Sequence, residues 1–106
     1  MKRGNIYENI PKRLPNELFS KILSKNNIRI DRIVSKKHIT PKGKWYDQDN
    51  NEFVLLIKGN AELSFKKNKG IRKLKMSKGD YINIPSRLKH RVDKTDKETI
   101  WLTVFY

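Results

Sequence analysis

The chain has 106 residues, which is enough for one domain with a single hydrophobic core. It contains no cysteine, so disulfides, thiolate zinc sites and cysteine nucleophiles are excluded. No apolar run reaches the about 20 residues of a membrane-spanning helix, and the N-terminus lacks the apolar part of a secretory signal, so we expect a cytoplasmic protein without a membrane partner.

The formal net charge of +14 raises the question of an anionic partner. Most of this charge is lysine, and it is spread along the chain without a block of five or six like charges. The densest basic segments, at residues 66–78 and 87–91, do not interleave aromatic with basic side chains as a surface for single-stranded nucleic acid does. The sequence therefore favours a compositional bias over nucleic-acid binding.

The first 27 residues differ in pattern from the rest of the chain. Pro15 fits a first helical position, and Glu17 favours the first turn. An apolar stripe at helical spacing follows, made of Leu18, Phe19, Ile22 and Leu23. We predict a short amphipathic helix over residues 15–25. The segment 1–27 should pack on the outside of a sheet formed by residues 28–106 of the same domain.

From residue 28 onward, apolar residues recur with a period of two, which predicts strands. The predicted strands cover residues 28–34, 52–58, 61–67, 71–76, 81–84, 89–93 and 99–105. Short turn signals separate several of them, which indicates hairpins. The pattern predicts an all-β antiparallel sandwich or barrel.

Two potential ligand residues stand on predicted strands. Glu52 shares a strand face with Val54 and Leu56, so it ends a buried row. His90 shares a face with Val92 in the same way. Because an unpaired buried carboxylate is costly, we expect Glu52 to have a partner.

The residues around these two positions resemble the two motifs of the cupin superfamily over about residues 41–94. The resemblance rests on Glu52, Gly59, Gly79, Pro85 and His90. The stretch MSKGDYINIPSRLKHRV is typical of small single-domain bacterial cupins. The resemblance implies an antiparallel double-stranded β-helix, the jelly-roll or cupin barrel, with a ligand site inside it.

The sequence departs from the family pattern at the ligand positions. In the family motif a His-x-His pair precedes the glutamate, with three or four residues between the second histidine and the glutamate. Those places hold Tyr46 and Gln48 in one register, and Trp45 and Asp47 in the other. Arg87 stands where the second motif has a glycine. The three-histidine, one-glutamate metal site that the resemblance implies is therefore not carried over intact.

Two interpretations of the site stay open. In the first, Glu52, His90, Gln48 and Asp47 hold a divalent ion such as manganese, iron(II), nickel or zinc, with an open position for a substrate. In the second, Glu52 and His90 form a metal-free polar pair. The cavity then binds a small anion or metabolite through hydrogen bonds.

The predicted ligand pocket includes Trp45 and Tyr46, which precede the hydrophilic loop of residues 47–51. These aromatic residues either line the mouth of the barrel or serve as core or dimer contacts. Arg87 and Lys89 are candidates to receive a carboxylate or phosphate. The function predicted is small-molecule binding, and the sequence does not decide between an enzyme and a sensor.

A homodimer is the expected assembly. The last strand alternates two apolar rows, and an exposed row with Trp101 and Phe105 would favour pairing with a second copy.

Overall fold

The computed structural model describes residues 1–106, in which all regular structure is β-strand. No helix is present that could cross a membrane. The eight strands are β1 (Leu18–Lys25), β2 (Ile28–Ser35), β3 (Glu52–Lys58), β4 (Ala61–Lys67), β5 (Gly70–Met76), β6 (Tyr81–Ile84), β7 (His90–Thr95) and β8 (Thr99–Phe105).

The strands form two antiparallel sheets, with the orders β1-β2-β8-β3-β6 and β5-β4-β7. The hydrophobic core lies between the sheets. Val54 and Trp101 come from the larger sheet, and Leu63, Phe65 and Met76 come from the smaller one. The predicted all-β antiparallel class is confirmed.

The strands predicted from residue 28 onward are also confirmed. The ranges 52–58, 61–67, 81–84 and 99–105 agree at both ends, and the other three differ by one or two residues. The period-two pattern is reliable here because most of these strands bury one face against the core, although β5 is covered only toward its end. At the β3–β4 turn, Gly59 has a φ of 88°, which side chains rarely tolerate.

The helix predicted over residues 15–25 is wrong, because residues 18–25 form β1. This strand pairs antiparallel with β2 and turns into it through Asn26, whose φ of 54° suits a tight hairpin. The register shifts between Lys21 and Leu23, so one extra residue interrupts the two-residue period. That extra residue gives the apolar positions of this strand a spacing that resembles a helix.

The N-terminal segment packs against β2. The buried guanidinium of Arg32 donates hydrogen bonds to the carbonyl oxygens of Ile6 and Glu8, at 3.1 and 2.6 Å. We propose on this basis that residues 1–27 and 28–106 form one domain.

Candidate functional site

A cavity of about 90 Å³ lies between the two sheets. Nine of its 14 lining residues are hydrophobic, so the few polar side chains determine what it can bind. The other five are Glu17, Gln48, Glu52, His90 and Thr103, and Tyr46, one of the nine, adds a phenol hydroxyl.

Glu52 and His90 meet in this cavity from opposite sheets. Glu52 begins β3 and is 8% exposed, and His90 begins β7 and is 4% exposed. His90 Nε2 lies 3.4 Å from Glu52 Oε1. The Gln48 amide donates a hydrogen bond of 2.8 Å to the same oxygen. Three of the residues predicted from the sequence are therefore brought together.

The second ring nitrogen of His90 fixes the orientation of the imidazole. Nδ1 lies 2.9 Å from the carbonyl oxygen of Leu88, which makes it the donor of that hydrogen bond. Burial by itself lowers the pKa of His90. The hydrogen bonds with Glu52 and Leu88 outweigh it and raise the pKa above the ordinary histidine value. Protonated His90 can donate to both partners.

Tyr46 borders the same site. Its backbone forms a bridge to His90, with N–O distances of 2.7 and 3.1 Å, and the two rings lie 5.7 Å apart. Burial, and after it the negative charges of Glu17 and Glu52, raise the pKa of the Tyr46 phenol above its ordinary value.

Glu17 is a cavity residue that the sequence reasoning missed, because it was assigned to the first turn of a helix. It lies just before β1 and shares a hydrogen bond with the Ser35 hydroxyl on β2. Phe19, two residues further on, lines the same cavity. A strand prediction for this segment would have placed Glu17 and Phe19 on one face.

Comparisons with known proteins support the motif resemblance. No protein-family model and no curated protein matches the chain. A proposed mannose-6-phosphate isomerase from Ralstonia eutropha JMP134 is 33% identical, with a TM-score of 0.90, over 99% of this chain and 97% of that one. A cupin superfamily protein from Desulfitobacterium hafniense DCB-2 is 13% identical, with a TM-score of 0.74, over 91% and 82% of the two chains.

The chain belongs to the cupin superfamily. A more distant cupin fold is that of Fe(II)-HppE, solved with an alternative substrate. It is 8% identical, with a TM-score of 0.72, over 93% of this chain and 54% of that one. At this identity the likeness concerns the fold alone.

Three of the predicted site residues lie outside the lining of the cupin cavity. Arg87 forms ion pairs with Asp47, at 3.2 Å, and with Asp49, at 3.0 Å. Trp45 packs under the guanidinium of Arg91, which lies 4.4 Å from the ring centroid. Arg87 pairs with Asp47, and Trp45 packs against Arg91. The structure therefore does not bring Trp45, Asp47 or Arg87 to the Glu52–His90 pair.

Arg87 nevertheless keeps the backbone conformation of the glycine that cupins have at this position. Its φ is 66°, in the left-handed region. Its N–H donates a hydrogen bond of 2.8 Å to the Gln48 carbonyl oxygen. The loop that carries Arg87 is therefore hydrogen-bonded to the loop that carries Gln48.

The donor set fits the four-residue metal site of cupins only in part. No group of three or more histidine, aspartate and glutamate side chains converges anywhere in the structure. Gln48 turns an N–H, and not its oxygen, toward Glu52. Since catalytic metal sites usually have three protein ligands, Glu52 and His90 alone supply an incomplete set.

Proposed function

We propose that this cupin is a small-molecule-binding protein whose site is the cavity between the sheets. One observation carries the proposal. The contacts of the buried Glu52 carboxylate with Gln48 and His90 both reach Oε1, so Oε2 receives no hydrogen bond from the protein. This oxygen is not among the fully buried atoms that lack a partner, so it is open to the cavity that Glu52 lines, where a ligand can donate to it or balance its charge.

The neighbouring residues prepare this carboxylate for a ligand. The Gln48 amide orients it, and His90 holds or shares a proton next to Oε1. The apolar side chains around the pair make the surroundings less polar, which strengthens each hydrogen bond made there. Neither residue requires a metal for this role, so we favour the metal-free interpretation of the pair.

A thermal-shift screen of small fragments tests the proposal. A ligand at ten times its Kd stabilises the native state by about 1.4 kcal/mol, which raises Tm by several degrees in a domain of this size. We expect hits to stabilise the wild type but not Val92→Phe, which fills the cavity from β7. Val104→Phe on the opposite face of β8 is the matched control. Hits that stabilise all three proteins equally would place the site elsewhere.

A divalent ion is a second candidate, favoured by one observation. His90 donates Nδ1–H to a backbone carbonyl, as metal-ligating histidines do, and its Nε2 faces Glu52, which is a second potential ligand. Glu52 and His90, with Gln48, would hold the manganese, iron(II), nickel or zinc ion predicted from the sequence. Bound there, the ion would act as a Lewis acid toward a ligand.

Elemental analysis of the purified protein tests this candidate. Metal that co-purifies with the wild type, and not with Glu52→Ala or His90→Ala, would establish the site. Absence of metal, together with no binding of added Mn²⁺ in calorimetry, would remove the second candidate and leave the first intact.

The cavity argues against a phosphorylated sugar as the ligand, although the similar Ralstonia protein is named for one. Phosphate recognition usually needs cationic donors. The lining contains two carboxylates, Glu17 and Glu52, and neither lysine nor arginine. Arg87, which the sequence offered as an anion receptor, is occupied by Asp47 and Asp49. The cavity therefore contains no lysine or arginine that could bind an anion, as the anion-binding alternative requires.

We propose that the protein forms a homodimer through a different strand from the one that the sequence indicated. Trp101 and Phe105 face the cavity and not the outside. The edge strand β1 instead exposes Phe19 and Leu23, at 58% and 51%. Light scattering should give a mass near 25 kDa for the dimer, about twice the chain mass of 12.6 kDa, and Leu23→Lys should halve it.

A further inference from the structure

The cavity has the opposite charge from the rest of the molecule. The chain carries a formal net charge of +14. The cavity lining holds Glu17 and Glu52, one histidine, and no lysine or arginine. With His90 neutral the lining has two negative charges, and with His90 protonated it still has one. A bound ligand that carries positive charge would therefore be favoured.

The apolar part of the lining is rich in aromatic rings. Phe19, Tyr46, Trp101 and Phe105 all border the cavity. The face of an aromatic ring attracts a cation, and rings grouped around a cavity recognise methylated ammonium groups. Aromatic walls together with carboxylates suit such a group better than they suit a neutral or anionic one.

One of these rings already contacts a cation. The guanidinium of Arg29 lies 4.4 Å from the centroid of the Phe105 ring. This arginine is half-exposed and is paired with Asp31 at 3.0 Å. Its charge is therefore balanced by its own partner, and it does not line the cavity.

The free Oε2 of Glu52 gives the cavity a carboxylate oxygen that the protein leaves open. The residue is 8% exposed, and its Oε2 has no protein donor. A primary ammonium group would need acceptors for three N–H donors. Nine of the 14 lining residues are hydrophobic, which matches a methylated group that carries its charge on its methyl surface.

We propose that the cavity binds a small methylated ammonium ion between its aromatic rings and the carboxylates of Glu17 and Glu52. This inference rests on the proposed function, because it names the ligand class of the same site. The volume of about 90 Å³ limits the enclosed part to a group of a few heavy atoms, such as trimethylammonium.

Three probes of similar shape and different charge test the proposal: choline, 3,3-dimethyl-1-butanol and 3,3-dimethylbutanoate. They are titrated by calorimetry into full-length protein treated with a chelator, because a divalent ion at Glu52 would repel a cation. Choline should bind at least about ten times more tightly than the alcohol, a difference of about 1.4 kcal/mol, and the carboxylate should bind least.

Matched variants separate the cavity from the surface. Glu17→Gln keeps a partner for the Ser35 hydroxyl and should weaken choline about tenfold, without changing the affinity for the alcohol. Glu62→Gln removes the same charge outside the cavity lining, and should change neither affinity. Thermal unfolding shows that each variant is folded. If Glu17→Gln unfolds, Glu52→Gln supplies the same test.

The outcomes distinguish this inference from the proposed function. If the alcohol or the carboxylate binds as tightly as choline, and Val92→Phe abolishes that binding, the cavity is a ligand site and the cation proposal is wrong. If none of the three probes binds, the cation proposal is also wrong, and the fragment screen decides the proposed function separately. Choline binding that survives in Glu17→Gln, Glu52→Gln and Val92→Phe would likewise overturn it.

Discussion

The Glu52–His90 pair inside the cavity and the Arg87 cluster at the surface use similar chemistry in different surroundings. The side chains of His90 and Glu52 are 5% and 11% exposed, whereas those of Arg87 and Asp49 are 62% and 90% exposed. An exposed ion pair contributes about 0–1 kcal/mol, while breaking a buried pair leaves an unsatisfied group in a poorly solvated place. Burial therefore makes the first pair a candidate site and the second a loop contact.

The largest expected effect comes from removing the buried carboxylate. Glu52→Ala leaves His90 and Gln48 without their shared acceptor and should lower the free energy of unfolding by about 3 kcal/mol. Urea denaturation measures the loss. Glu52→Gln keeps an acceptor of the same shape and should lose less, roughly 1–2 kcal/mol. Equal stability of Glu52→Ala and wild type would show that the pair is solvated like a surface pair.

The second prediction concerns pH. Because the pKa of folded His90 is raised above the ordinary value of 6.5, its pairing contributes fully below that pH. The contribution is lost as pH rises through the folded pKa. An NMR titration of the His90 ring should give a lower pKa in Glu52→Gln than in wild type. An unchanged pKa would mean that Glu52 does not act on the ring.

A third prediction compares two substitutions at Arg87. Arg87→Ala loses the ion pairs and keeps the left-handed backbone, so it should cost about 1 kcal/mol. Arg87→Gly loses the same pairs but removes the strain of φ = 66°, which is worth roughly 1–2 kcal/mol. The glycine variant should therefore be the more stable of the two in urea. The reverse order would show that the relief of backbone strain does not outweigh the greater conformational freedom of glycine in the unfolded chain.

The smallest effect is expected at Asp49. Its side chain is 90% exposed, and Arg87 retains Asp47 as a partner when it is removed. Asp49→Asn should change the free energy of unfolding by less than about 0.5 kcal/mol and leave the His90 pKa unchanged. A larger loss would indicate that the surface cluster is coupled to the cavity through the Gln48 loop.

The sequence predicted those parts of the molecule where local pattern and burial agree. The strands from β2 onward alternate because one face of each is covered. Glu52 and His90 were found because the spacing of their motifs is local. β1 was missed because its bulge disturbs that period. Glu17 was missed because its partner, Ser35, lies 18 residues away across a strand pairing that the sequence did not indicate.

The positions of the loop residues show a second limit of prediction from the sequence. Asp47 was predicted at the ligand site from its place in the first motif, and Arg87 from its place near His90 in the second. They pair with each other across a separation of 40 residues, at the surface. Their mutual attraction could not be deduced from motif spacing, because it depends on how two loops meet in space.

NMR spectroscopy of ¹⁵N-labelled protein tests the central claim most directly, because both regions are observed at once. During titration with choline and with 3,3-dimethyl-1-butanol, we expect changes in the chemical shifts of the Trp101 indole N–H and of the His90 and Tyr46 amides. The Asp49 and Arg87 amides should shift little. Shifts confined to Arg87, Asp49 and the surface lysines, with Trp101 unmoved, would contradict a ligand site in the cavity.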